Sequence, residues 1–151
     1  MIKKNKKSVA RLVGVLAVMV LAGCATMEKP IILDSDVAFG FGSAELTPAG
    51  ASKINQYADS IRARGETRIE IIGHSDRIGD ARANQTLSER RAQAVRNQLL
   101  KNRLKPDNIT ARGLGARNPV VTNCHQTNNA ALIACLAPNR RVEINVTDLR
   151  W

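Results

Sequence analysis

The hydrophobic positions of this chain switch between a period of two and a helical period. Val37, Phe39 and Phe41 are separated by the small Ala38 and Gly40, which predicts a strand over 37–41 with one packed face. Thr47-Pro48 has the form of a helix start, with threonine as cap and proline in the first turn, where its missing N–H costs nothing. Ile54, Tyr57, Ala58 and Ile61 then recur at helical spacing, and Gly65 supplies a stop. Arg68 to Ile72 predicts a second strand running into Gly73-His74-Ser75-Asp76. A second helix starts between Asp80 and Ser88, a capping box at Thr86 and Glu89 offering one start, and ends near Asn102. Ile109–Leu114 and Arg141–Val146 predict two further short strands. The order β, α, β, α, β, loop, β implies an α+β sandwich, a mixed four-stranded sheet covered by helices on one face.

The first residues follow another logic. Lys3, Lys4, Lys6, Lys7 and Arg11 precede an apolar run from Leu12 to Ala22, too short for a comfortable bilayer crossing, which needs about 20 apolar residues. Leu21-Ala22-Gly23-Cys24 has the lipoprotein cleavage pattern, so residues 1–23 are expected to be a signal peptide and Cys24 the lipidated first residue. An ordinary secretory peptide or an uncleaved anchor are the alternatives; all three export the chain. Residues 24–36 lack clear periodicity and contain Pro30, which predicts a tether reaching at most about 40 Å, followed by one domain over 37–151.

Charge changes the picture once the leader is set aside. The full chain has 23 basic and 13 acidic residues, but five of the basic ones lie in the leader, leaving 18 against 13. No basic run remains and aromatic residues are scarce, so nucleic acid is a poor partner, whereas an anionic polymer suits the residual excess. Cys124 and Cys135 form an even pair in an exported chain and are read as a disulfide. A metal site built from Cys124, His125 and Cys135 is the rival, and it lacks a fourth ligand at recognised spacing.

In the second helix Leu87, Ala94, Val95 and Leu99 form a stripe, and Arg91 projects among them while Arg90 points away. A stripe arginine snorkels over the core edge, pairs with an internal acid, or lines a pocket for an anion. Asp76 is equally open, as a turn former or as a ligand contact. Charges of opposite sign in one half-buried groove suit a zwitterionic ligand, because an unpaired buried charge is costly.

Four blocks in order carry a resemblance: Phe39-Gly-Phe-Gly-Ser-Ala-Glu-Leu-Thr-Pro-Ala-Gly50, Gly73-His-Ser-Asp-Arg-Ile-Gly79, Asn84-Gln-Thr-Leu-Ser-Glu-Arg-Arg-Ala92 and Asn139-Arg-Arg-Val-Glu-Ile144. Residues 37 to 147 resemble the OmpA-like peptidoglycan-binding domain of porin tails, peptidoglycan-associated lipoproteins and flagellar stator proteins. The resemblance implies non-covalent capture of the diaminopimelate residue of a peptidoglycan stem peptide, without catalysis, metal or cofactor. It maps the family's aspartate and arginine onto Asp76 and Arg91, its asparagine onto Asn84, and the first arginine of its Asn-Arg-Arg signature onto Arg140. Ser75 is expected to shape the turn, His74 to be packed and Arg141 to be structural. The family often has an acid or amide just after the first strand; Gly40, Gly42 and Ser43 stand here, so that contact is either missing or supplied by Ser43. Ala25 after the cysteine fits outer-membrane sorting by resemblance to enteric lipoproteins. Two other functions compete: an envelope adaptor for another protein, and a cell-wall hydrolase using His74, Asp76 and His125. The hydrolase lacks both a His-Glu-x-x-His zinc motif and a serine nucleophile elbow.

Overall fold

A computed structural model describes residues 29–149. The expected signal peptide and Cys24 lie outside them. The elements are β1 (Ile31–Asp34), α1 (Ser35–Ala38), α2 (Pro48–Ala63), β2 (Thr67–Gly73), α3 (Ala81–Lys101), β3 (Ile109–Gly113), α4 (Asn129–Cys135) and β4 (Arg141–Asp148). Short 3-10 turns at Pro106–Asn108 and Ala137–Asn139 precede β3 and β4.

The sheet is mixed and four-stranded, in the order β1-β4-β2-β3. β4 runs antiparallel to both β1 and β2, and β2 pairs with β3 in parallel through the α3 crossover. Ile69 and Ile71 of β2 and Val142 and Ile144 of β4 are buried in one core with Ile54, Ala58 and Ile61 of α2 and Ala92, Val95 and Leu99 of α3. On β2, Arg68 and Glu70 alternate with those core residues, and Glu70 pairs with Arg112 of β3 on the polar face. The expected α+β sandwich is therefore the observed architecture.

The first strand is a correction. It lies at Ile31–Asp34, inside the expected tether, and not at 37–41. Residues 35–38 form α1, capped by Asp34, whose side chain accepts from the Asp36 N–H. Of the three alternating apolar residues only Phe39 is buried, through an isolated bridge to Leu46, while Val37 and Phe41 face solvent. A turn causes this: Ser43 N–H donates to Gly40 O, Gly42 takes φ 62°, and the reversal throws Phe41 outward.

Other boundaries agree more closely. Thr47 caps α2 by accepting from Gly50 N–H, and the helix stops just before Gly65, whose φ of 89° is left-handed. Asp80, rather than the Thr86/Glu89 box, starts α3 by accepting from Ala83 N–H. The buried stripe of α3 is Ser88, Arg91, Ala92, Val95 and Leu99, so Leu87 and Ala94 are only partly covered. Arg90 is exposed, as its angle predicts.

Candidate functional site

The candidate site forms where the segment after β2, the middle of α3, α1 and the start of β4 converge. Past Gly73 the chain stays tied to the sheet, His74 N–H donating to Arg141 O and Ser75 N–H to Gly115 O. Asp76 then turns the chain: its Oδ1 accepts from Ile78 N–H at 2.8 Å. Asn84, in the first turns of α3, clamps the same turn through Nδ2, which donates to Asp76 O (3.2 Å) and Ile78 O (2.8 Å). The structure thus brings Asn84 to Asp76 through the backbone.

Arg91 is 4 % exposed. Its Nε donates to the carbonyl of Ser43 at 2.9 Å, and its guanidinium carbon stands 5.2 Å from the centre of the Phe39 ring, within cation–π range. Both Nη groups are without a hydrogen-bond or ion-pair partner among the described residues. Burial pushes Arg91 below the ordinary guanidinium value; the Asp36 carboxylate opposes this most, the neighbouring Arg140 adds to it, and Asp76 opposes it more weakly. Ser43 meets the site through its backbone. Its carbonyl serves Arg91 while its hydroxyl accepts from Glu45 N–H at 2.9 Å, which holds the turn.

Arg140 leaves the turn before β4 and is the hub of the site. Its Nε and Nη2 fork onto Asp36 at 2.9 and 2.6 Å, and its Nη1 donates to Asp76 Oδ2 at 2.7 Å and Ile133 O at 3.1 Å. These carboxylates raise Arg140 above the usual guanidinium range, Asp36 contributing first. In return the Arg140 bond holds Asp36 below the usual carboxylate range. Asp36 is the site residue that sequence reasoning missed, because it falls in the stretch read as tether. Its one local signal is the Asp-Ser-Asp run, which caps and begins α1.

Asp76 and Arg91 form no ion pair with each other; Arg140 is interposed at the acid. The site therefore contains two carboxylates and two guanidiniums rather than a single opposed pair. Counting formal charges, Asp36, Asp76 and Arg140 together leave one negative charge facing one positive charge on Arg91. That balance suits a ligand bearing both an ammonium and a carboxylate.

Arg141 is bound within the sheet region: Nε donates to Glu143 Oε1 at 2.7 Å and Nη2 to Asn118 O at 3.2 Å, while Nη1 is buried without a hydrogen-bond partner among the described residues. His74 is 2 % exposed, with Nδ1 3.3 Å from Arg117 O, which can only accept, so Nδ1 carries the proton. Cys124 and Cys135 are joined in a disulfide, which sets aside the metal reading of those thiols. Arg77 Nη2 donates to Cys124 O at 2.8 Å, tying the bridged segment to the turn at Asp76. Between them lies a cavity of about 350 Å³ lined by Ser75, Asp76, Pro119, Val121, Thr122 and His125, among others.

Comparison with known proteins gives a consistent picture. The chain is 42 % identical over 126 residues to outer membrane protein A of Escherichia coli O157:H7, covering 81 % of this chain and 36 % of that protein. It is 46 % identical over 123 residues to outer membrane protein A of Yersinia pseudotuberculosis serotype I, covering 78 % and 35 %. The chain thus spans about a third of the length of these relatives. Among solved structures, the cell wall anchor of the T6SS from Pseudomonas aeruginosa superposes with a TM-score of 0.64 at 30 % identity, covering 78 % of this chain and 80 % of that one. The peptidoglycan-associated lipoprotein from Burkholderia pseudomallei does so with a TM-score of 0.59 at 26 % identity, covering 74 % and 88 %. The model of the OmpA family matches residues 38–131, from the end of α1 through α3 and β3 to the bridged segment, and with these relatives it shows that the chain belongs to the OmpA family.

Proposed function

We propose that this chain holds peptidoglycan non-covalently, by the free end of diaminopimelate in the stem peptide, and that a lipid on Cys24 fixes it to the outer membrane on the periplasmic side. One observation carries the wall-binding half: a guanidinium that is 4 % exposed keeps both Nη groups free beside two carboxylates already bridged by another arginine. A buried cation with unused donors is a poor structural choice and a good anion receptor. The diaminopimelate carboxylate would take the fork of Arg91, and its ammonium would face Asp76 and its bridged partner. The names of two similar structures, a cell wall anchor and a peptidoglycan-associated lipoprotein, support the same reading. It requires no covalent step, so no residue is given a catalytic role.

The test is a calorimetric titration of the protein with a stem peptide containing diaminopimelate, against the same peptide containing lysine. Lysine lacks the extra carboxylate, so binding should be confined to the first. Equal affinity for both, or sustained release of muropeptides from sacculi, would overturn the proposal. For the anchor, the measurement is the mass of the N-terminal peptide recovered from membranes; an unacylated Cys24 would remove that half alone.

A further inference from the structure

We propose that Asp36 is a ligand-contacting, specificity-determining residue of this site, supplying from α1 the carboxylate that Gly40, Gly42 and Ser43 do not. The inference rests on the diaminopimelate reading above and concerns which acid meets the ammonium.

The two carboxylates are not equivalent. The Asp76 side chain is 10 % exposed, with Oδ1 accepting from Ile78 N–H inside its own turn and Oδ2 from Arg140. Its geometry is that of an anchor, holding the turn and orienting Arg140. The Asp36 side chain is 46 % exposed and is held by Arg140 along one edge, through the Nε and Nη2 fork. A carboxylate has about four lone-pair sites, so both acids keep acceptor capacity, but at Asp36 that capacity is open to an incoming ligand and at Asp76 it is largely covered. Asp36 also exerts a stronger pull on Arg91 than Asp76 does. Of the two carboxylates, Asp36 is therefore the more accessible to a ligand held by Arg91.

The local sequence explains why an acid is useful there. After Phe39 the chain offers Gly40, Phe41, Gly42 and Ser43, none of them acidic, and the Ser43 hydroxyl, which accepts from Glu45 N–H, carries no charge to pair with an ammonium. Gly40 itself has room for a side chain: a Cβ there would meet only Ser43 Cβ, at 3.5 Å, an ordinary contact. The acid is thus missing from Gly40 without steric necessity, while Asp36 is fixed beside the cleft.

The experiment compares two stem peptides, one with diaminopimelate and one in which its free amino group is replaced by hydrogen, leaving the carboxylate. Wild-type protein should prefer the first. Asp36→Asn keeps the shape of the side chain and should weaken binding of the first about tenfold, as expected for loss of a charge-assisted contact, while leaving the second unchanged, so that the preference collapses. Adding Gly40→Asp to Asp36→Asn should restore it. An unchanged preference in Asp36→Asn overturns the inference, as does equal weakening of both peptides, which would mean that Asp36 merely props Arg140. Failure of the wild-type protein to bind either peptide sinks the diaminopimelate reading itself and this inference with it.

Discussion

Arg140 Nη1 stands 2.7 Å from Asp76 Oδ2, joining the start of β4 to the turn after β2 across 64 positions of sequence. Through the same guanidinium Asp76 is coupled to Asp36, so the acid of the Gly-His-Ser-Asp motif is a structural element as well as a proposed ligand contact. Removing Arg140 leaves two neighbouring carboxylates without their shared cation.

Arg140→Met should therefore cost stability, by about 2 kcal/mol at neutral pH; the figure lies below that for a fully buried pair because Asp36 is partly solvated. The pH dependence has a definite sign. Arg140 holds Asp36 below its ordinary value of 3.8, so the stabilisation is complete above that value and is lost as pH falls through the lower folded value. The gap between wild type and Arg140→Met should be wide at pH 7 and narrow as acid is added below about pH 4. Urea midpoints at the two pH values check this, and a gap that widens in acid would contradict it.

Arg91 should separate binding from folding. Arg91→Met keeps much of the packing over Phe39 and removes a costly buried charge, so its thermal midpoint should stay near that of wild type while sacculus pull-down is lost. Arg91→Lys keeps the charge but not the planar fork, and affinity for the diaminopimelate peptide should fall about tenfold. If Arg91→Met unfolds the protein, the arginine is a core element and its role as receptor is wrong. Asp76→Asn is a better probe than Asp76→Ala, because the amide oxygen can still accept from Ile78 N–H.

The strands and helices with strong periods were legible in the sequence: Ile54, Ala58 and Ile61 on α2, the Ile69/Ile71 face of β2, and the Val142/Ile144 face of β4. β1 was not. Four residues with Leu33 alone fully buried make too short a pattern, and the strand is defined by pairing with β4, more than a hundred residues away. The false strand at 37–41 has a similar cause: its alternation is real, but the turn at Gly40–Ser43 overrides it. Charge and helical spacing raised Asp76 and Arg91 with their alternatives open, the family resemblance added Asn84 and Arg140, and neither gave their connections. That Asp36 and Asp76 share Arg140, and that Arg91 keeps free donors, depends on contacts between residues distant in sequence.

His74 should give the protein a pH-dependent stability in a second, higher window. Burial first, and then Arg141, hold its imidazole below the ordinary value of 6.5, with Arg117 O and Glu143 opposing. The folded state then binds fewer protons than the unfolded state, so stability falls as pH drops below about 6.5 towards the folded value. His74→Gln should flatten this decline, measured as the urea midpoint between pH 7.5 and 5.5, without changing affinity for the stem peptide at pH 7.5. A slope that persists in the variant assigns it to another group.

Reduction of the Cys124–Cys135 bridge should lower stability by about 3 kcal/mol, the chain-entropy value for so short a loop. The sheet does not pass through this segment, so the far-ultraviolet spectrum should persist after reduction. Arg77 loses a fixed partner at Cys124 O, and amide exchange should therefore rise at 76–79 as well as within the loop. Exchange confined to 123–136 would show that the bridge and the turn are uncoupled.

The separation of the acids from Arg91 is set where α3 lies directly on the sheet. A Cβ on Gly73 would stand 2.0 Å from Ser88 O, and one on Gly113 would stand 2.3 Å from Glu89 N, so the helix backbone rests on two glycines at the ends of β2 and β3. Arg91 is one turn further along that helix, and Asp76 is three residues beyond Gly73. Gly73→Ala must lift α3 or bend β2, at a cost of about 3 kcal/mol, and either movement shifts the guanidinium relative to the carboxylates. Affinity for the stem peptide should fall even under conditions where the variant remains folded. Gly65 gives the comparison: it is glycine for its φ of 89°, at the end of α2, and a Cβ there would meet nothing within 4 Å. Gly65→Ala should cost about 1 kcal/mol through backbone strain and leave the dissociation constant unchanged. Should folded Gly73→Ala bind as tightly as wild type, the close contact of α3 with the strands would not govern the site, and the cleft would have to adapt to its ligand.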